Sequence, residues 1–472
     1  MAKSFFFYDL ETSGLDARAD RIMQFAGQRT TPELEQIGEP INVLVKLTDE
    51  ILPSPHATLV TGITPQKTHE EGISELEFIR LLCEEVFTPE TVTVGFNNIR
   101  FDDEFVRHAL WRNFYDPYEW CWKDVRGRWD LLDVVRMTRA LRPEGINWPV
   151  DENGNGTNRL ELLTKANELE HLQAHDAMSD VHALIAVTKL IKTKQPKLYD
   201  YLLGMREKKS VMNLVNPQRP VPFVYSSGRY ESIYHKTTVA YPIADSARPG
   251  GALVYDLRYD PTLFASLPVE ELKKRLYATR EERQKPDFIP LPVKELVYNR
   301  CPAVAPLGVL EQGDAWQRIG LTPEIIQKHL GLLEQNPQLV EKLKAVFANR
   351  QPFAKVNDVE HRLYDGFTPD GDKRKIEIIR NASPRELATL TADFDDERLH
   401  ELLVRYKARH YPHILSEEER TRWEQYRSQR IQAQLPGFMK NLQLLAQESD
   451  EEKQFLLQEL HLWAESIVSV DQ

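Results

Sequence analysis

Residues 4–10, Ser4-Phe5-Phe6-Phe7-Tyr8-Asp9-Leu10, form a nearly unbroken apolar-aromatic run closed by the turn-prone Thr12-Ser13-Gly14. That pattern predicts a buried strand. Alternation of apolar and polar residues from Ile41 to Leu47 predicts a second strand, and the β-branched Thr91-Val92-Thr93-Val94 a third. Thr64 before Pro65 marks a helix start, a capping hydroxyl followed by proline at the first helical position. Asn97-Asn98 leads into a helical pattern through Phe105 and Leu110, and residues 158–168 and 176–192 are also expected to be helical. In the last of these Val181, Leu184, Ile185 and Thr188 share one face. Strands with interleaved helices and no Gly-rich phosphate loop predict a mixed α/β first domain of about 190 residues. Asp151-Glu152-Asn153-Gly154-Asn155-Gly156 is a loop within it.

A basic, proline-marked stretch from Lys194 to Pro222 reads as a domain junction. Short β-like runs such as Thr237–Tyr241 and Ala252–Leu257, set among Gly and Pro, predict a small β-rich domain over 223–310. Helices are expected to pack on it at Val269–Ala278 and Pro323–Asn349, and from Pro384 onward the pattern is almost wholly helical. No internal repeat interrupts this order.

Composition changes the picture little. With 472 residues, 41% hydrophobic and 28% charged, the chain is an ordinary globular one of two to four domains. Cys83, Cys121 and Cys301 form no C-x-x-C pair, which excludes a disulfide scaffold or zinc ribbon and fits a reducing cytoplasm. No run of eighteen apolar residues is present, and Asp9 and Glu11 interrupt the apolar start, so neither a membrane span nor a signal peptide is expected. A net charge of −12 argues against a phosphate-rich partner only if charge is evenly spread. It is not: between Val187 and Arg219 eight basic residues face two acidic ones, which makes either a binding track or simply a solvated face.

Three short signals carry the chemistry. Asp9-Leu10-Glu11 sits on the first strand, where residues i and i+2 project to one face, so two carboxylates stand side by side. Their mutual repulsion is relieved by a divalent cation, although D-x-E also occurs by chance on solvated surfaces. Asp102 follows a strand near a helix start, where a carboxylate is often only a capping group. His175 precedes a helix that carries Asp180 in its first turns, and Asp176 could cap that helix. A histidine there can take a proton from an attacking water. Taken in order, four carboxylates and one histidine are what two-metal phosphodiester hydrolysis needs.

This ordered set resembles the DEDDh superfamily of 3′→5′ exonucleases, and Asp9, Glu11, Asp102, His175 and Asp180 match its pattern without departure. Longer strings narrow the resemblance to the bacterial exodeoxyribonuclease I family. They include residues 96–104 (FNNIRFDDE), 111–118 (WRNFYDPY), 128–133 (RWDLLD), 141–149 (LRPEGINWP), 163–167 (LTKAN) and 174–178 (AHDAM). The likeness is strong through about residue 215 and looser beyond. It implies a ribonuclease H-like exonuclease domain (1–194), an SH3-like domain with packed helices (196–349) and a helical C-terminal domain (352–472). Together these would form a basic passage for single-stranded DNA. It further implies that Asp9, Glu11, Asp102 and Asp180 hold two Mg²⁺ ions, with Mn²⁺ able to substitute, and that His175 is the base. The implied product is a 5′-mononucleotide.

Residues 107–129 interleave stacking and phosphate-binding types: Arg107, Arg112, Tyr115, Tyr118, Trp120, Trp122, Arg126, Arg128 and Trp129. Half of the aromatic ones are expected to be core. The resemblance favours Arg107, Tyr118, Trp122, Arg136 and Arg159 as strand contacts, with Glu11 also touching substrate and Arg159 able to reach the terminal nucleotide. It also implies a partner, the acidic tail of single-stranded-DNA-binding protein, bound by basic residues including Arg142. The expectation is a monomeric, processive exonuclease of single-stranded DNA in repair and recombination. The rivals are an RNA-trimming or proofreading exonuclease with the same five residues, and a noncatalytic DNA-binding scaffold.

Overall fold

The computed structural model describes residues 3–169, 176–348 and 356–468. The first apolar run is strand β1 (Ser4–Thr12), paired antiparallel with β2 (Ile22–Thr30), which pairs in turn with β3 (Gln36–Leu44). β4 (Thr91–Gly95) runs parallel to β1, with Phe7 opposite Val94. With β5 (Gly127–Asp130) the sheet order is β3-β2-β1-β4-β5.

The pattern had no sign of β2. Its Gln24 and Gln28 are buried and bonded, Gln24 to Asn42 Oδ1 at 2.9 Å and Gln28 to the Arg29 and Ile37 carbonyls, so alternation is lost on a strand buried on both faces. β3 begins earlier than Ile41 and stops at Leu44, because its first half is a solvent-exposed edge that carries Pro40 and no apolar signature. The Thr64 cap accepts from Lys67 N, as the sequence suggests.

Further along, the supposed junction is helical over Pro196–Gly204 and Lys208–Leu214, where Tyr199, Leu202 and Val211 are buried beneath the basic residues. The expected helix from Pro323 is two helices, Pro323–Glu334 and Pro337–Ala348, since Pro337 has no N–H to continue the first and opens the second. Strands β6 (Phe223–Ser226), β7 (Thr237–Asp245), β8 (Gly251–Asp256), β9 (Val293–Val297) and β10 (Ala303–Pro306) make an antiparallel sheet in the order β10-β6-β7-β8-β9. Its core gathers Phe223, Tyr225, Val254, Leu296 and Val304.

Two compact units result. One comprises 1–127, 171–184 and 354–472, the other 128–170 and 185–353. In the first unit the C-terminal helices share cores with the N-terminal sheet region: Met23, Leu47 and Ile51 cluster with Ile431, Phe438, Leu460 and Trp463, and Trp111 and Phe114 with Ile379, Leu399 and Tyr406.

The same unit buries a charge network. Arg21 Nη2 donates to Glu50 Oε1 at 3.1 Å and Glu360 Oε2 at 2.9 Å. Arg409 reaches both carboxylates, and Arg405 donates to Asp358 at 2.6 Å and Glu360 at 3.3 Å. Burial alone pushes the Glu360 carboxyl up, but Arg409, Arg21 and Arg405 outweigh it and hold the group well below the usual carboxylate range. All three cysteines are free, and no helix among the described residues is long and apolar enough to cross a membrane.

Candidate metal centre

β4 stops beside the middle of its parallel neighbour β1, which runs on to Thr12, and in such sheets ligand sites form beyond the carboxyl ends of the strands. Asp9 and Glu11 lie at that end of β1, opposite Ala26 and Gln24 of β2, and a register shift follows immediately after Glu11. The turn beyond brings Gly14 against a side chain. A Cβ on Gly14 would fall 2.4 Å from the Asp20 carboxylate.

After β4 the chain reverses through Asn97 in the left-handed region (φ 71°). Gly95 is required, since a Cβ there would sit 2.5 Å from that of Asn98. This turn delivers the helix Asp102–Arg112 with Asp102 as its first residue. Its N-cap is Phe101 with no side-chain cap bond, so Asp102 is not the capping group considered from sequence. The favourable field at a helix N-terminus helps to bury its charge. The helix Ala177–Lys194 supplies Asp180, and here Asp176 does cap, accepting from Ser179 N at 3.0 Å.

Carboxylate oxygens of Asp9, Glu11 and Asp180 all lie within 4.8 Å of one another. At that spacing two unit charges repel by roughly 3 kcal/mol at an effective dielectric of about 20. Burial, then Asp102, Glu11 and Asp180, push the Asp9 carboxyl well above its usual range. Burial followed by Asp180, Asp102 and Asp176 pushes Glu11 up to about 8. Asp102 stands outside the close trio, yet its charge acts on both strand residues. The charges acting most strongly on this pair are thus other carboxylates, the donor set that suits a hard divalent cation. His175 lies outside the described residues.

Burial separates the tryptophans among the stacking candidates, while Tyr115 and Tyr118 are half-buried. Trp120 and Trp129 are core, and Arg112 is buried against Glu75 at 2.7 Å, whereas Trp122 is 62% exposed. Arg107 is mostly buried, paired with Glu104 at 3.0 Å and lying 5.6 Å above the Tyr118 ring. Sequence reading missed Tyr364 and Phe367. Phe367, 83% exposed, meets Tyr118 edge-on at 5.5 Å, and the Tyr364 hydroxyl bonds Glu104 and Arg107. Only an exposed aromatic beside a glycine, at Gly366-Phe367, hinted at them.

In the other unit Arg136 pairs with Asp133, Arg159 is exposed at the start of the helix Leu160–Ala166, and Arg142 donates to the Val309 carbonyl and Gln312 Oε1.

Comparison with known proteins gives three consecutive family matches: an exonuclease family over residues 6–188, the exonuclease I SH3-like domain over 206–349 and the exonuclease I C-terminal domain over 357–467. Exodeoxyribonuclease I of Escherichia coli (strain K12) is 41% identical over 469 residues, 98% of either chain. That of Haemophilus influenzae is 40% identical over 461 residues, 97% of either chain.

The crystal structure of E. coli exonuclease I with a dA16 oligonucleotide superposes with a TM-score of 0.94 at 40% identity, covering 98% of this chain and 100% of that one. The zinc-bound form of the E. coli ExoI–ssDNA complex gives 0.94 at 40% identity over 99% and 100%. A structure of SSB/exonuclease I with the inhibitor CFAM gives 0.90 at 39% over 99% and 100%. A mixed-sheet exonuclease domain, an antiparallel SH3-like domain and a helical C-terminal domain, matched end to end by these relatives, establish that the chain belongs to the exodeoxyribonuclease I family of exonucleases.

Proposed function

We propose that the chain is a Mg²⁺-dependent exonuclease that releases 5′-mononucleotides one at a time from the 3′ end of single-stranded DNA. The observation that carries this reading is the close cluster of Asp9, Glu11 and Asp180 carboxylates, with the charge of Asp102 acting on it. Asp9, Glu11, Asp102 and Asp180 would hold two Mg²⁺ ions, with Mn²⁺ an acceptable substitute. When bound, the ions supply Lewis-acid neutralisation of the attacking and departing oxygens. His175 takes the proton from the attacking water. Glu11, at the strand end, also orients the terminal nucleotide.

The strand is gripped in one unit by the exposed rings of Trp122, Tyr364 and Phe367 and the half-buried Tyr118, stacking surfaces worth about 1–3 kcal/mol per base. Arg107 stiffens this aromatic group and adds positive charge beside it. Arg136 and Arg159 are phosphate contacts, and Arg159 reaches the terminal nucleotide. Processive digestion and work in DNA repair and recombination belong to the same reading, supported by family membership. So does the acidic tail of single-stranded-DNA-binding protein as a partner, bound through Arg142. Arg142→Ala abolishes binding of that tail peptide; unchanged binding discards the partner site.

The decisive experiment offers 3′-labelled single-stranded DNA and a matched RNA with and without chelator. Labelled mononucleotide is released from DNA only, and chelator stops it. Release that survives chelation, or a preference for RNA, overturns the proposal. His175→Ala lowers the rate by about 10²–10⁴-fold and flattens the pH profile near neutrality. An unaltered rate removes it as the base.

A further inference from the structure

Asp103 is a fully buried carboxyl, 0% exposed, that the chemistry above does not use. It is the second residue of the helix that Asp102 begins. Burying a carboxyl away from donors is costly, so its partners reveal what it is for. One is the Tyr8 hydroxyl, which donates to Asp103 Oδ1 at 2.5 Å, and another is Asn98 Nδ2, which donates to the same oxygen at 3.2 Å.

Tyr8 precedes Asp9 on β1, and strand alternation turns it to the face opposite Asp9, into the core with Phe25, Phe105 and Val106. Asn98 belongs to the tight turn that Gly95 and Asn97 allow. Two dipeptides therefore face each other, Tyr8-Asp9 on the strand and Asp102-Asp103 on the helix. In each, one residue makes the buried bond and its neighbour belongs to the acidic cluster.

We infer that Tyr8 and Asp103 are positioning residues that latch the start of the helix to β1 and so fix Asp102 relative to Asp9 and Glu11. This rests on the metal-centre reading above. The latch lies on the apolar side of the sheet, where water does not compete for the bond, so it holds a definite geometry. It also resists the repulsion that drives Asp102 away from Asp9 whenever no cation is present. Groups one step removed from metal ligands, when lost, typically weaken metal affinity by about 10–100-fold.

The test measures Mn²⁺ binding directly, by the electron paramagnetic resonance of the free ion, on the full chain. In Tyr8→Phe, which keeps the ring and loses the donor, the half-saturating Mn²⁺ concentration rises by about 10–100-fold. Digestion recovers toward the wild-type rate at saturating Mn²⁺, and oligonucleotide affinity without metal is unchanged. Asp103→Asn, which keeps an oxygen acceptor for Tyr8, binds Mn²⁺ more tightly than Asp103→Leu. The double variant Tyr8→Phe/Asp103→Leu is no worse than the poorer single one, as expected for one shared interaction.

A lowered unfolding midpoint with unaltered Mn²⁺ affinity in Tyr8→Phe makes the pair merely structural and overturns the inference. Should Asp103→Leu fail to fold, Tyr8→Phe decides alone. Wild-type protein that binds no Mn²⁺ instead overturns the metal-centre reading, and the inference falls with it.

Discussion

Two groups of acids in the same compact unit, one fully buried and one half-buried, meet opposite fates. Glu50 and Glu360 lie among Arg21, Arg405 and Arg409, and the arginines hold the Glu360 carboxyl well below its usual range despite complete burial. Asp9 and Glu11 lie among Asp102 and Asp180, and their carboxyls are pushed up. The difference lies in the neighbours, arginines in one place and other carboxylates in the other. The first network carries its own positive charge and serves as a pin between the N-terminal sheet region and the C-terminal helices. On the proposed function, the second takes its positive charge from bound cations.

The sharpest way to break this comparison is a reciprocal pair of substitutions. Asp9→Asn lowers nucleotide release by at least about 10³-fold, the upper end for removing one group that stabilises developing charge. It also raises the unfolding midpoint of the metal-free protein, because one repelling charge is gone, and it leaves oligonucleotide binding largely intact. Thermal unfolding beside a rate assay checks both directions. Glu360→Gln does the reverse. It costs about 3–5 kcal/mol of stability by stranding buried arginines, while the rate per folded molecule is kept. A Glu360→Gln protein as stable as wild type in urea would erase the distinction.

pH sharpens the comparison further. Glu11, raised from 4.5 to about 8, opposes its own ionisation in the fold. Its contribution to stability is present below about pH 4.5 and is lost as pH rises through about 8, with Asp9 acting in the same direction. Metal-free protein therefore loses thermal stability across that window. Mg²⁺ restores it at the alkaline end, and metal affinity tightens as pH rises.

Glu75 behaves oppositely. Burial raises it, but Arg112 and Arg21 bring it down to about 2, so its stabilisation holds above pH 4.5 and disappears as pH falls toward 2. Melting curves from pH 2 to 9 with chelator and with Mg²⁺ separate the two limbs. The smallest effect expected is at an exposed pair. Glu271→Ala removes a 2.6 Å contact with Lys274 and leaves the urea midpoint unchanged, because water already screens both groups.

Much of this was readable along the chain. Asp9 and Glu11 share a face because a strand repeats every two residues, and the apolar run before them announces that strand. Asp176 and Asp180 are legible as a cap and a first-turn residue. β2 was not, because its glutamines are buried and bonded rather than placed by alternation. Nor was the split of the tryptophans. Trp120, Trp122 and Trp129 look alike in sequence, and only packing makes Trp122 the exposed one. Arg107 and Tyr364 stand 257 positions apart, a pairing no local pattern encodes.

Sequence alone determined the strand carrying the two carboxylates, the turn and helix starts that follow, the three-part order of the chain and its family. Those depend on short-range periodicity and on strings long enough to be specific. Tertiary structure decided which acids are set among arginines and which among other carboxylates, which aromatic rings face solvent, and that Asp103 is tied to Tyr8. The reason is that electrostatic energy and burial depend on distance in space. A carboxylate has the same spelling whether an arginine or another carboxylate folds against it.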